Sequence, residues 1–554
     1  MNKKVCSFPI LFALLALLIG TCAVVFPASA QAAPTSTGSI TVSGTVARSY
    51  DAYQIFSANV VDGDSDAKIA TDLAWASDAV RDAALPVLHS AGMPNSQTTA
   101  QEAAEWLNAD SHLTGALSAQ LARSLQSSGA VSVALNAGTT AELPCGYWLI
   151  VADDDAIAQG EAGTAPIMAL VGGGAVTVKP KAATPKVSKH VLEDSTAAWQ
   201  KAADATVADD LYWRLSATVP AGLTAYDTYT VQFVDTMSAG LDPSKVAASM
   251  HVYVAAGADG DFDAVSTSKD GRVGTDPAKG WTDITAQCRV SVDGKTFTVR
   301  TGDLIAALGG ADAFTAGARV VAVYNAPLNS ACSHGIAKGN PNEVYLSYPR
   351  SPFADQSGDA GFTRTPSDDA CAYTWDLALT KRGSDGDKPL AGAVLSIADD
   401  RGRTLTADGT WDAEGKATVT TGEDGRVTVS GVDSGKLEVR ELKAPKGYTA
   451  FEGTRSVTVK AEGLDVDQVA AAKPKLTITA ESPLRADSAD GSTGSLEASL
   501  INTPTGTPPS ITTGGFMPST GDMAMYAAAA AAVAGAALIV VALLVKRGGG
   551  SHKE

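Results

Sequence analysis

Two uncharged apolar runs bracket the chain, and between them the spacing of apolar residues shifts from alternating to helical and back. Lys3 and Lys4 precede the first run, Phe8 to Phe26, and Ala28-Ser29-Ala30 follows it. This order of basic, apolar and small residues is that of a secretory leader, so residues 1–30 are expected to be removed as a signal peptide. The second run, Met523 to Val545, is about 23 residues long, enough for a helix to cross a bilayer core of roughly 30 Å. Residues 546–554 open with Lys546 and Arg547, a basic tail on the side that the positive-inside rule makes cytoplasmic.

The interior divides into three segments by period. Residues 31–183 open with alternation (SITVSGTVARSYDAYQIFSANV) and pass into helical spacing (SDAVRDAALPVLHSAG, then AQEAAEWLNADSHLTGALSAQLARSLQ). They return to alternation at GYWLIVAD and GAVTVKPK. Residues 184–352 carry strand-like runs such as TYTVQFVD, RVSVDGKTFTVR and ARVVAVYN between Gly/Asp/Ser turns, the pattern of a β-sandwich. A linker is expected over 353–372, and a second all-β unit over 373–504, with TWDLALTKR, AGAVLSIADD, GRVTVSGV, KLEVRELKAPKGY and SLEASLINTP as its strands. A polar Thr/Pro/Gly spacer, 505–516, leads to the stretch MPSTG, 517–521. The fold class expected is mostly β: tandem immunoglobulin-like sandwiches, the first domain with helical insertions, and one C-terminal membrane helix.

Alternation also places polar groups where apolar ones belong. Trp375, Leu377 and Leu379 share a strand face with Lys381; Leu437 and Val439 share one with Glu441; Leu496, Ala498 and Leu500 share one with Asn502. Unpaired burial of such charges costs several kcal/mol. Two arrangements answer that cost: a buried Lys–Glu ion pair with the asparagine bonded nearby, or an isopeptide bond in which the Lys381 amine displaces ammonia from the Asn502 amide. Burial lowers a lysine pKa and raises a glutamate pKa, the states such a reaction needs, with Glu441 polarising the carbonyl and shuttling the proton.

Charge and cysteines narrow the partners. With 42 Lys+Arg against 60 Asp+Glu the net charge is −18, and no basic cluster stands out away from the termini, which argues against a nucleic-acid partner. Cys6 and Cys22 leave with the leader, whereas Cys145, Cys288, Cys332 and Cys371 reach an oxidising exterior and are candidates for one or two disulfides. Asp259, Asp261 and Asp263 have a calcium-loop spacing, but Ala264 stands where glycine is needed, so an acidic hairpin is expected and no metal. No cofactor motif and no nucleophile–base pair is evident, so no enzyme is expected.

The third segment resembles the collagen-adhesin B-type (Cna B) domain of Gram-positive surface proteins through DKPLAGAVLSI, ELKAPKGY and INTP. That resemblance implies the Lys381–Asn502 bond, assisted by Glu441. The chain as a whole resembles backbone subunits of sortase-assembled pili. SYDAYQIFSANV, WASDAV and GYWLIVAD are similar to their first domain, and FVDTMSAGL and YNAPLNSACSHGIAKGNPNEVYLSY to their isopeptide-forming second domain. MPSTG is similar to the LPXTG sorting signal with Met517 replacing leucine, followed by Pro518, Ser519, Thr520 and Gly521. The resemblance implies a sortase cysteine attacking the Thr520 carbonyl and releasing Gly521, then transfer to an amine. VTVKPK, Val176 to Lys181, resembles the pilin motif that supplies this amine and implies Lys181 as nucleophile, with Lys179 a second candidate. Partners implied are pilin-specific and housekeeping sortases, identical subunits, peptidoglycan, minor pilins and host surface ligands, on a protein secreted to the cell surface and anchored in the wall. The alternative is an anchored adhesin, or a minor tip or base pilin, that never uses its own lysine.

In the second domain Lys189 and Asp235 match the family's lysine and catalytic acid. The usual asparagine-bearing ending reads Tyr348-Pro349-Arg350-Ser351-Pro352, with Arg350 in the expected asparagine slot. The expectation is therefore no isopeptide bond there, or one using another residue such as Asn342, with Asp235 paired to Lys189 or Arg350 and a Cys288–Cys332 disulfide as the substitute staple.

Overall fold

A computed structural model describes residues 36–506, apart from 45–47, 64–66, 110–111, 154–156, 158–159, 181–183, 221–222, 258–279, 316, 353 and 355. The leader, Lys181, Asp259, Asp261, Asp263, the spacer beyond 506, the sorting motif, the expected membrane helix and the basic tail lie outside the described residues. Among the described residues no helix is long and apolar enough to cross a membrane.

In the first domain the strand Ser49–Asp62 pairs with Lys68–Trp75, Val133–Asn136 and Gly146–Ala152, and Ile167–Val171 completes that sheet. A smaller sheet places Thr37–Val42 between Thr140–Pro144 and, in parallel, Val176–Val178. Tyr50 and Ala52 face the small sheet, while Tyr53, Ile55 and Phe56 face the helices Asp78–Ser90, Ala100–Asn108 and Gly115–Ser127. Alternation alone separates these two sets, and a register shift between Gln54 and Phe56 brings Phe56 onto the helix side beside Ile55. The first two helices start where expected, capped by the Ser77 and Thr99 side chains, with Thr99 and Glu102 forming a capping box, whereas the second helical stretch is two helices, the later one capped anew by Thr114.

The second domain is a sandwich. One sheet runs, in order, Ala198–Gln200, Val187–Glu193, Tyr212–Thr218, Arg319–Asn325, His251–Ala255 and Trp281–Asp283. The other runs Ala202–Asp204, Asp368–Tyr373, Asn340–Pro349, Gln232–Met237, Thr296–Arg300 and Arg289–Asp293. Residues 353–372 are thus not merely a linker: Phe362–Arg364 and Asp368–Tyr373 both pair with Asn340–Pro349. Their polar composition hid this, because Asp368 spends its carboxylate on the Lys189 amide (2.6 Å) and the Lys201 ammonium inside the fold.

The third domain has sheets ordered Arg426–Val432, Trp375–Gly383, Ser495–Pro504, Tyr448–Thr449, and Trp411–Asp412, Thr404–Leu405, Val394–Ala398, Gly435–Lys443, Thr454–Glu462, Lys475–Ala480. Its first and last strands lie side by side in parallel, Lys381 opposite Leu500 and Gly383 opposite Asn502. The apolar rows read from alternation are the core: Trp375, Leu377, Leu379, Leu437, Val439, Leu496, Ala498 and Leu500 all belong to one buried cluster.

The domains meet through polar contacts. Gly160 and Gly163 of the first donate backbone bonds to Arg364 and Arg350 of the second (2.8 and 2.7 Å). Between second and third, Trp375 Nε1 donates to Asp204 Oδ2 at 2.6 Å, and the Arg403 guanidinium forks onto Asp209 at 2.6 and 2.8 Å.

Candidate functional site: two buried lysines and their amide partners

In the third domain, the three polar residues that end apolar rows converge. Lys381 is fully buried, Asn502 is 2% exposed and Glu441 6%. The Asn502 amide nitrogen donates to both Glu441 oxygens, at 2.9 and 3.0 Å, and the Phe451 amide donates to Glu441 Oε2 at 3.1 Å. Lys381 Nζ lies 3.7 Å from Glu441 Oε1 and donates to the Leu500 carbonyl at 3.2 Å. Burial lowers the Lys381 pKa to about 8, only partly opposed by the Glu441 carboxylate. One detail differs from expectation. The carboxyl faces the amide nitrogen rather than its oxygen, and Asn502 Oδ1 is buried without a hydrogen-bond partner.

The second domain builds a similar site from different strands. Lys189, Asp235, Asn342 and Tyr324 are all wholly buried between the two sheets. Lys189 Nζ contacts Asp235 Oδ2 and donates to the Tyr324 hydroxyl at 2.9 Å, which donates to Asp235 Oδ2 at 3.1 Å. Asn342 Nδ2 donates to the same hydroxyl at 2.8 Å, while Asn342 Oδ1 and Asp235 Oδ1 are buried without partners. The Trp213 and Tyr324 rings each lie 5.4 Å from the Lys189 nitrogen, so little water reaches it. Burial lowers the Lys189 pKa to about 8 and raises that of Asp235, against the attraction between the two. Both shifts favour a neutral amine beside a carboxylic acid.

Arg350 is not in this site. It stands eight residues beyond Asn342, so at about 3.3 Å per residue it is some 26 Å along the strand. Its backbone holds the first-domain junction, accepting from Gly163 and donating to Gly361. Asp235 is paired with Lys189. Asn342 satisfies the rule that exposed Asn502: it ends a buried row with Val344, Leu346 and Tyr348. Tyr324 gives no such signal in the sequence, because it stands within a continuous buried row with Val320, Ala322 and Ala326.

The four cysteines remain free thiols, which overturns the expected disulfides. Cys145 sits with Ala58, Val60 and Leu170 in the first domain, and Cys371 in the third-domain core. Cys288 donates to the Ile284 carbonyl at 3.3 Å, and Cys332 contacts His334. Of the two amine candidates near the first-domain end, Lys179 is exposed just past Val178, on the face opposite Val176 and Val178 as alternation requires.

The proteins that the chain resembles are of one class, surface proteins and major pilins of Gram-positive bacteria. Residues 376–473 match the SpaA prealbumin-like fold domain. A curated relative, the trypsin-resistant surface T6 protein of Streptococcus pyogenes serotype M6, is 30% identical over 143 residues, 24% of this chain and 24% of that protein. The chain thus matches about a quarter of that relative's length. Similar solved structures include the T6 backbone pilin of the same serotype (TM-score 0.46, 17% identity, 85% of this chain and 98% of that one). The major pilin SpaD of Corynebacterium diphtheriae is another (TM-score 0.40, 15% identity, 85% and 98%).

Proposed function

We propose that the chain is the structural subunit of a covalently polymerised, wall-anchored pilus, stiffened by one isopeptide bond in each sandwich. The observation that carries this is the recurrence, in two differently built domains, of a buried lysine, a carboxyl group and an asparagine amide. In each, the neutral lysine amine attacks the asparagine Cγ, a C–N bond forms, and the amide nitrogen leaves as ammonia. The carboxyl (Glu441 with Lys381 and Asn502, Asp235 with Lys189 and Asn342) gives a proton to the leaving nitrogen and recovers one from the lysine. Tyr324 positions Lys189, Asp235 and Asn342 around its hydroxyl.

Polymerisation would use the other chemistry. A sortase thiolate attacks the Thr520 carbonyl, Gly521 leaves with the membrane segment, and the Lys181 amine of the next subunit resolves the acyl-enzyme. The product is a head-to-tail fibre, open-ended because the joined surfaces differ. The chain is then a sortase substrate that reacts with itself once at each of two internal sites, not an enzyme that turns over. A final transfer to peptidoglycan would anchor the fibre at the surface, where adhesion follows from reach or from minor pilins.

Immunoblots of wall extracts boiled in denaturant test this. The natural protein should give a high-mass ladder that collapses to monomer in Lys181→Ala. A ladder that survives moves the amine to Lys179 or another lysine, and monomer from both proteins refutes the polymer.

A further inference from the structure

A third group of reactive side chains lies at the junction of the second and third domains. The loop 326–339 brings Cys332 Sγ to 3.5 Å from His334 Nε2, and His334 Nδ1 bonds Asp376 Oδ2 of the third domain at 2.7 Å. With Nδ1 donating to the carboxylate, Nε2 turns its lone pair to the thiol. Asp376 is held in turn by the Ser430 hydroxyl (2.6 Å) and the Gly431 amide (3.1 Å), both on its Oδ1. The loop is braced on both sides. Asn340 clamps Ser333 by its amide (2.8 Å) and carbonyl (2.9 Å), and the Gly335 amide donates to Thr374 at 3.1 Å.

We propose that Cys332, His334 and Asp376 form a base-activated thiol site, complete only when the two domains are docked, that takes small-molecule disulfides by thiol–disulfide exchange. The Cys332 thiol passes its proton to His334 as its sulfur attacks one sulfur of the disulfide. A new S–S bond forms to Cys332, the old one breaks, and the departing thiolate takes the proton from His334. Asp376 is a positioning residue that fixes the imidazole tautomer. Burial pushes the Cys332 thiol above its ordinary pKa, so it rests protonated and needs the base. Acyl transfer is the less suited chemistry: the amides of Cys332, Ser333 and Gly335 already donate to Asn329, Asn340 and Thr374, leaving none of them for an oxyanion. The other thiols lack this arrangement. Cys145 and Cys371 are each only 2% exposed, and burial pushes Cys288 up to about 11.

The test is reaction of the full chain with dithiodipyridine, followed by absorbance and mapped by peptide mass, with oxidised glutathione as a second probe. Cys332 should react first, with a rate that levels off near neutral pH instead of rising with hydroxide. His334→Gln should slow it roughly tenfold or more at pH 7, Asp376→Asn by less, and Cys332→Ser should abolish the fast phase. Thermal unfolding of each variant reports whether the junction is intact. Modification of Cys332 no faster than of Cys288, or an unchanged rate and pH profile in folded His334→Gln, would overturn the proposal.

Discussion

Replacing Glu441 with glutamine keeps the shape of the third-domain site and removes its acid. Lys381 and Asn502 are 502 − 381 = 121 positions apart. Closing a loop of about 120 residues restricts the unfolded chain by about 5 kcal/mol. Over a domain of about 130 residues, an unfolding entropy of roughly 2.1 cal/mol/K per residue converts this to a melting shift of about 18 °C. Glu441→Gln should therefore keep the mass of one ammonia that the natural protein loses, and its third-domain calorimetric transition should fall by roughly 15–20 °C. Lys381→Met serves as companion. It leaves the Asn502–Glu441 hydrogen bonds intact while removing the nucleophile, so a transition that falls in both variants is due to the missing bond. Loss of ammonia from Glu441→Gln at the natural extent would refute the assigned role of the acid. A transition moved by only a few degrees in both variants would refute the cross-link itself.

Other outcomes follow from the same geometry. Asn342→Ala should fall short of its own sequence mass by one ammonia, where the natural protein falls short by two, and leave the Lys381–Asn502 cross-link in place, which peptide mapping of the two lysines would show; a Lys189 cross-linked elsewhere would contradict the assignment. Glu193 is 3% exposed, and burial first, then the nearby Asp204 charge, pushes its carboxyl from an ordinary 4.5 up to about 7. Because the folded pKa is the higher one, its contribution to stability is complete below about pH 4.5 and is lost as pH rises through about 7. The second-domain melting temperature should fall across that window, and Glu193→Gln should flatten the fall.

The third domain was legible because its strands alternate cleanly. With Leu377 and Leu379 pointing inward, period two forces Lys381 inward as well, and the same step applies to Glu441 and Asn502. What alternation cannot supply is which buried rows face one another across a sandwich. Asn342 ends a row as plainly as Asn502 does, but its strand meets Lys189 only through pairings set by loops of unpatterned length, and Tyr324 sits inside a continuous buried row. The ending Tyr348 to Pro352 carries Arg350, whereas Asn342, the alternative named from the sequence, stands at the far end of the same strand and shares the Tyr324 hydroxyl with Lys189. The strands at 362–364 and 368–373 were hidden by Asp368 and Asp369, whose polarity mimics a linker although Asp368 serves two internal donors. The Cys332–His334 contact depends on a loop conformation fixed by Asn340, which no periodicity encodes.

The parallel placement of the third domain's first and last strands bears on how far a fibre could lengthen. Chain enters at Trp375, and with the bond closed the covalent path crosses from Lys381 to Asn502 and leaves through Thr503. The intervening residues, about 120 of them, would reach about 400 Å if drawn out at some 3.4 Å each. The bond removes that whole length from what a pull could release, and a Lys189–Asn342 bond would withhold about 500 Å more by the same arithmetic. A fibre of such subunits would be nearly inextensible within these domains, yielding chiefly at the junctions between them.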